Sequence, residues 1–155
     1  MIKLLITLTL CVFLAASVQA ATFDLRFERL AEALAGLKET DRSTVQRAIE
    51  SIKRGDHTVA LTQLSALNRN YPMNSSLRIL TAYVLLQTGN LLGAFEEAKK
   101  AEMAPDGSSY KCWFLAKIAF IAGDNAVCKR ELAHAGNDKA SSEDVRALEK
   151  ELNGK

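Results

Sequence analysis

The sequence predicts an all-α domain built from repeated helix pairs, and three observations support that prediction. Of its 155 residues, 48% are hydrophobic and 25% are charged, a balance that is typical of a folded globular chain. The chain holds only 2 prolines and 8 glycines, too few for the many turns of an all-β fold. Gly55, Gly89 and Gly123 recur at intervals of 34 residues, a period that indicates stacked helical repeats.

The charge balance limits the classes of partner. The chain carries 20 Lys and Arg residues against 18 Asp and Glu residues, so its formal net charge is only +2. Such a chain has no strong basic field that would attract nucleic acid or an anionic membrane. Its apolar content is also too high for a disordered protein. We therefore expect one folded domain that does not bind nucleic acid.

The N-terminus has the pattern of a secretory signal peptide. A short positive start at residues 1–3 precedes an apolar run of about 13 residues at 4–16, shorter than the about 20 residues that span a bilayer. Val18 and Ala20 then form a cleavage site of the A-x-A type. We expect residues 1–20 to be removed, which leaves no membrane span and places the mature chain in the periplasm, with an extracellular location as the alternative.

The 34-residue period extends to the residues around each glycine. A short polar residue follows each glycine, and small residues stand seven positions before it and five positions after it. Chance does not explain the agreement of so many columns at one period. The small residues of these columns are Ala48, Ala82 and Ala116 before the glycines, and Ala60, Ala94 and Cys128 after them.

Each column has a physical role in a pair of antiparallel helices. Glycine adopts the left-handed conformation that ends the first helix, and Asp56, Asn90 or Asp124 then caps the second helix. Small residues on both sides of the turn allow the two helices to approach closely. Asp41, Asn74 and Asp106 are the polar residues expected before each pair. We predict helices over 42–54, 57–70, 75–88, 91–103, 109–122 and 125–135.

This pattern resembles the tetratricopeptide repeat family, whose 34-residue repeat has small residues, a glycine and a late proline in the same places. The three copies cover 41–74, 75–108 and 109–142. The third copy lacks the proline, and none of the copies has the tryptophan that the family often places at position 4. The resemblance implies a right-handed α-solenoid of three tetratricopeptide helix pairs.

The flanking segments are predicted to cap the repeats. In residues 21–40, Leu30, Leu34 and Leu37 lie on one stripe of a helix over 24–38. This helix is either the lone second helix of a half repeat or a tethered segment that folds over the groove of the repeats. Residues 143–155 form a charge-rich C-terminal capping helix after a serine-rich start.

The family resemblance implies a binding groove on the first helices of the pairs. Aromatic side chains in this groove would suit an apolar or aromatic-bearing peptide, since Trp and Tyr are common binding anchors. The resemblance also places Ile52, Leu86 and Phe120 at groove positions, but for these three the alternative is favoured that they are core between neighbouring pairs. The groove residues implied by the resemblance are Val45, Ile49, Ile79, Tyr83, Tyr110, Trp113 and Lys117.

No catalytic or metal-binding pattern is recognised in the sequence. His57 lies at a predicted turn and His134 near a predicted helix end, and neither has a His or Cys at ligand spacing. No base is close in sequence to Cys112, and no glycine-rich phosphate loop is present. We expect a protein that is not an enzyme and that needs no cofactor and no metal.

Two functions fit these expectations. The first is a protein- or peptide-binding scaffold in the bacterial cell envelope, which binds its partner through the groove. The second is a structural subunit of an envelope or secretion assembly with no separate ligand. Nothing in the sequence excludes a eukaryotic secretory protein, and the oligomeric state and the partner are not predicted.

The two cysteines of the mature chain, Cys112 and Cys128, are close enough in sequence to form a disulfide in an oxidising compartment. The inferred repeat opposes this pairing, because Ala116 rather than Cys112 lies nearest Cys128 across the helix pair. Cys112 would be displaced by about 6 Å along the axis in addition to the about 8–10 Å between the helix axes, which places the two Cα atoms beyond the about 7 Å limit of a bridge. We expect two buried thiols that are not joined to each other, with a disulfide as the alternative.

Overall fold

The computed structural model describes residues 23–106, 110–136 and 142–154, and every regular element within them is helical. The predicted signal peptide lies outside the described residues. A 3₁₀ turn at Phe27–Leu30 leads into α1, and eight α-helices follow one another along the chain. Their bounds are α1 Ala31–Leu34, α2 Glu39–Arg54, α3 His57–Asn70, α4 Ser75–Gln87, α5 Leu91–Glu102, α6 Tyr110–Ile121, α7 Asn125–Ala135 and α8 Ser142–Asn153.

The six helices predicted between residues 42 and 135 are all present as α2 to α7, with bounds that differ from the prediction by three residues at most. The three repeat glycines separate α2 from α3, α4 from α5 and α6 from α7. Gly55, Gly89 and Gly123 have φ angles of 80°, 79° and 79°, in the left-handed region, as predicted. No atom lies within 4 Å of a Cβ built at any of the three, so backbone conformation, rather than space, favours glycine there.

Two of the three predicted caps after these glycines form. The side chains of Asn90 and Asp124 accept hydrogen bonds of 2.9 and 3.0 Å from amides in the first turns of α5 and α7. Asp56 precedes α3 in the same way, but its side chain does not cap the helix. Its carboxylate instead accepts a hydrogen bond of 3.1 Å from the Arg54 guanidinium.

The polar residues expected before each pair have three different roles. Asn74 caps α4 as predicted, with a hydrogen bond of 3.1 Å from an amide in its first turn. Asp41 lies inside the first turn of α2 and accepts a hydrogen bond of 2.6 Å from the Tyr71 hydroxyl. The carboxylate of Asp106 accepts the Ser75 amide at 2.9 Å, so it supports the start of α4.

Consecutive helices from α2 to α8 pack against one another, and α6 also contacts α4 and α8. The small residues of the repeat columns are fully buried among these helices. Their lack of bulk allows the backbones to approach closely. These residues are Ala48, Ala60, Ala82, Ala94, Ala116 and Cys128.

Of the two predicted flanking helices, the C-terminal one is present and the N-terminal one is much shorter than predicted. The helix predicted over 24–38 is present only as the 3₁₀ turn and the single turn α1, with Leu30 fully buried. At the other end, α8 forms the predicted C-terminal helix and buries Val145 and Leu148. Glu143 and Asp144 lie in its first turn, where negative charge complements the helix dipole.

No disulfide joins Cys112 to Cys128 in the described part of the chain, as the geometry of the inferred repeat predicts. Cys128 is fully buried in its small-residue column. Cys112 is only half-buried, which differs from the prediction, because it lies in the first turn of α6 near the edge of the helix stack.

Candidate functional site

Residues 23–34, which we call the N-terminal segment, lie against α4 and α6. The ring of Phe23 makes edge-to-face contacts with Tyr83 of α4 and with Trp113 and Phe114 of α6, at centroid distances of 5.7, 5.8 and 5.8 Å. Such contacts between aromatic edges and faces are attractive beyond the area that they bury. We call the surface formed by Tyr83, Tyr110, Trp113 and Phe114 the aromatic face.

The repeat helices also bind the main chain of this segment. The Ser76 hydroxyl donates to the carbonyl of Leu30 at 2.9 Å, and the amide of Arg26 donates to the Tyr110 hydroxyl at 3.3 Å. Ser76 and Tyr110 are 34 residues apart and occupy the same position of the second and third copies. Equivalent positions of two repeats therefore contact polar main-chain groups of the same bound segment.

Two further contacts fix the direction of the segment across the helices. The Asn74 side-chain amide donates to the carbonyl of Ala33 at 2.6 Å, at the start of α4. The Arg26 guanidinium lies 2.9 Å from the carboxylate of Asp144 in α8. The segment thus begins with Phe23 on the aromatic face, passes α8 at Arg26 and reaches the N-terminus of α4 at Ala33.

The aromatic face is largely buried and unfavourable for charge. Burial raises the pKa of the Tyr110 hydroxyl far above its usual value, and burial together with the charge of Asp24 raises the pKa of Tyr83. Tyr110 and Trp113 stack with centroids 5.1 Å apart. The Trp113 indole Nε1 is buried and has no hydrogen-bond partner among the described residues. The face therefore suits apolar rings and neutral carbonyl groups.

A cleft of about 380 Å³ lies beside the contact between the segment and α4. Asp24 and Phe27 of the segment form one wall, and Lys53, Tyr83 and Gln87 form the other. The Lys53 ammonium lies 5.3 Å from the centre of the Phe27 ring, close enough for a cation–π contact. Tyr83, one of the residues that the resemblance implies for the groove, lines this cleft.

The remaining groove residues that the resemblance implies lie away from Phe23. Ile79 is fully buried, and Val45 and Ile49 are buried on α2 beside a second cleft of about 350 Å³. Lys117 donates a hydrogen bond of 2.7 Å to Glu151 of α8, so it links α6 to the C-terminal helix. Ile52, Leu86 and Phe120 are buried, as the core interpretation predicts.

Phe23 and Phe114 are not among the residues that the repeat pattern predicts for this site. Phe114 is fully buried on α6 and contacts the segment through its ring. The available signal for Phe23 is the pair of rings, Phe23 and Phe27, on either side of Leu25 just before the first repeat. Such a cluster of apolar residues outside the repeat columns needs a surface on which to be buried.

A second cluster of chemically reactive side chains lies where α5, α6 and α7 meet. Glu102, Cys112, Glu131 and His134 place their potential metal-ligand atoms within 4.8 Å of one another. No metal site is predicted from the sequence, because these residues are not at the spacing of a local ligand motif. The only local signal is Glu131 and His134, which are three residues apart on one helix.

None of the helices in the described ranges combines the length and the apolar character that are needed to span a bilayer. Comparison of the whole chain with protein-family models finds no match, and a search of curated proteins finds no similar protein.

Proposed function

We propose that α2 to α7 form three tetratricopeptide-like helix pairs in a right-handed α-solenoid, with α8 as the C-terminal cap. The support is the 34-residue recurrence of left-handed glycines and of fully buried small residues at the helix contacts. The contact of α6 with both α4 and α8 also fits an arrangement in which alternate helices form one face of a stack.

We further propose that the protein is a non-catalytic scaffold of the bacterial cell envelope that binds an extended, aromatic-bearing segment of a partner protein. The observation that carries this proposal is the N-terminal segment on the aromatic face. Phe23 supplies an aromatic anchor, and Ser76 and Tyr110 contact the main chain of the same segment at Leu30 and Arg26. Rings that fill a pocket and polar groups that hold the main chain are the two parts of peptide recognition.

In this proposal the N-terminal segment competes with the partner for the same surface. A partner binds only to the fraction of molecules in which the segment has left the aromatic face, and the apparent affinity falls by that fraction. The chemistry of the segment therefore indicates the chemistry of the ligand, and its binding to the aromatic face lowers the apparent affinity for that ligand. The predicted signal peptide would direct this scaffold to the periplasm.

A labelled peptide with the sequence of residues 23–35 tests this function when it is added to the full chain. We expect it to bind a Phe23→Ala variant at least about tenfold more tightly than the original protein, because the variant releases its own segment. Phe95→Ala is the matched control, since Phe95 is a half-buried ring on α5 without a contact to Phe23. The control should bind the peptide as weakly as the original protein does.

Two results would contradict the proposed function. One is a peptide that binds the Phe23→Ala variant no better than the Phe95→Ala control. The other is equal binding by a peptide in which its own phenylalanine at position 23 is replaced by alanine, since the anchor would then contribute nothing. Dimers or larger assemblies of the original protein without added peptide would favour the structural-subunit alternative.

A further inference from the structure

Four potential metal ligands converge from three consecutive helices. Glu102 lies at the end of α5, Cys112 in the first turn of α6, and Glu131 and His134 one turn apart on α7. Their ligand atoms, two carboxylate oxygens, one sulfur and one imidazole nitrogen, lie within 4.8 Å of one another. The cluster is separate from the aromatic face and does not depend on the proposed function.

The buried carboxylate of Glu131 is the feature of this cluster that favours a bound cation. Its side chain is 2% exposed, and a buried carboxylate is costly unless its charge and its oxygens are satisfied. Oε1 accepts a hydrogen bond of 2.7 Å from the Arg130 guanidinium. Oε2 is buried and has no hydrogen-bond partner among the described residues, and the Nδ1 atom of His134, which can form an ion pair with it when protonated, lies 3.6 Å away. One oxygen of the buried carboxylate is therefore available for a ligand.

The distances fit a small tetrahedral ion after a modest adjustment. Bonds of about 2.0–2.3 Å from a central zinc ion place neighbouring ligand atoms about 3.3–3.8 Å apart. The ligand atoms, which now lie within 4.8 Å of one another, can reach these distances by rotations of the side chains. Such rotations are possible because Glu102 and Cys112 are only partly buried and His134 is exposed. The backbones of α5, α6 and α7 need not move far.

The charges in the cluster also favour a divalent ion. With Cys112 as a thiolate, the two carboxylates and the sulfur bring three negative charges, and a divalent ion together with Arg130 balances them. Burial, and then the charges of Glu131 and Glu102, raise the pKa of the Cys112 thiol, while Lys111 opposes them. Because the sulfur binds a metal as the thiolate, binding breaks the S–H bond of Cys112, releases its proton to solvent and forms a sulfur–metal bond.

We propose that Glu102, Cys112, Glu131 and His134 form a four-coordinate site for a divalent transition-metal ion of the Zn²⁺ class. A thiolate and an imidazole disfavour Ca²⁺ and Mg²⁺, which prefer sites made of oxygen ligands, and favour zinc and its neighbours. With all four positions filled by protein, the ion has a structural role. It connects the end of the second pair, through α5, to both helices of the third pair.

The test uses Co²⁺ as a spectroscopic probe and Zn²⁺ as its competitor on the purified, reduced protein. We expect cobalt to give a thiolate-to-metal charge-transfer band and the intense visible absorption of a tetrahedral complex, and zinc to remove both. Cys112→Ala should abolish the charge-transfer band, and His134→Ala should weaken zinc binding by at least about tenfold. Both positions are at least partly exposed, so these variants are expected to fold.

The chain offers a matched control for each ligand variant. Cys128→Ala removes the other described cysteine, at a column where two copies already have alanine, and His57→Ala removes the other histidine. Neither control should change the cobalt spectrum or the zinc affinity. A spectrum without the charge-transfer band in the original protein, or zinc binding that survives Cys112→Ala and His134→Ala, would overturn the proposal.

Thermal unfolding provides an independent readout. Zinc at about 100 times its dissociation constant should raise the Tm of the original protein and of the two controls by about 5–10 °C. The Tm of Cys112→Ala should not respond to zinc. An equal rise in Tm for Cys112→Ala would show that the ion binds elsewhere and would contradict the assigned ligands.

Discussion

Replacement of Phe23 by alanine removes the ring that anchors the N-terminal segment to the aromatic face. A fully buried Phe→Ala change costs about 3–5 kcal/mol, and Phe23 is only half-buried, which reduces the expected cost to about 2 kcal/mol. The three edge-to-face contacts are each worth about 0.5–1.5 kcal/mol and are not additive, which leads to a similar value. A loss of about 2 kcal/mol shifts the ratio of docked to undocked segment by about 30-fold.

The chain contains a single tryptophan, and it lies at the contact to be measured. Trp113 is 7% exposed while the segment covers it. In the Phe23→Ala variant we expect its fluorescence emission to move to longer wavelength and its quenching by acrylamide to increase. Phe95→Ala, which removes a half-buried ring from α5, should change neither quantity.

The comparison between these two variants decides the interpretation. If both fold, by circular dichroism, and the emission and quenching of Trp113 in Phe23→Ala equal those of the original protein, then the segment does not cover the aromatic face. If Phe95→Ala alters Trp113 as strongly as Phe23→Ala does, the change reflects a general loosening of the helices. Either result would refute the reasoning from the Phe23 contacts.

Two further predictions concern the repeat framework. Gly89→Ala should lower the free energy of unfolding by about 1 kcal/mol in urea titrations, because the φ of +79° at this position is unfavourable for alanine. The control Gly36→Ala should have a smaller effect, because the φ of Gly36 is not positive and the space around its Cβ position is open. Glu97→Gln should lower the free energy of unfolding by about 1 kcal/mol, because it breaks the 2.8 Å ion pair with Arg78 between α4 and α5. The control Glu96→Gln, on the exposed side of α5, should leave the free energy of unfolding almost unchanged. Burial alone would raise the pKa of Glu97, but hydrogen bonds and charges from Lys100 and Arg78 lower it, so this stabilisation is present above the carboxyl's unfolded pKa and is lost as the pH falls through the folded value. Unfolding of Glu97→Gln should therefore be less sensitive to acid than that of the original protein, and equal acid sensitivity would contradict the assignment.

The features that sequence could predict are those that depend on local backbone chemistry. A left-handed turn favours glycine wherever it occurs, so Gly55, Gly89 and Gly123 indicate three helix ends without knowledge of the tertiary structure. Asn90 and Asp124 cap the helices that follow for the same local reason. The helix bounds and the buried small residues could therefore be predicted to within a few residues.

The features that sequence could not predict depend on contacts between distant residues. Leu30 and Leu34 have helical spacing, but the segment gains more by placing Phe23 among rings from α4 and α6 than by extending a solvated helix. Its contacts with Ser76 and Tyr110 join positions 46 and 84 residues apart in the chain.

The candidate metal site could not be predicted from the sequence for a similar reason. Glu102 and Cys112 belong to different helices from Glu131 and His134, and only the packing of α5, α6 and α7 brings them together. A search for local ligand spacing along the sequence cannot find a site of this kind.

Nuclear Overhauser effects between the ring protons of Phe23 and the indole protons of Trp113 test most directly whether the N-terminal segment occupies the surface proposed to bind partners. The two ring centroids are 5.8 Å apart, so we predict cross-peaks between these side chains in the full chain. Tyr110 stacks on Trp113 at 5.1 Å and supplies an internal reference within the same spectrum. Cross-peaks from Tyr110 to Trp113 without any from Phe23 would contradict the account.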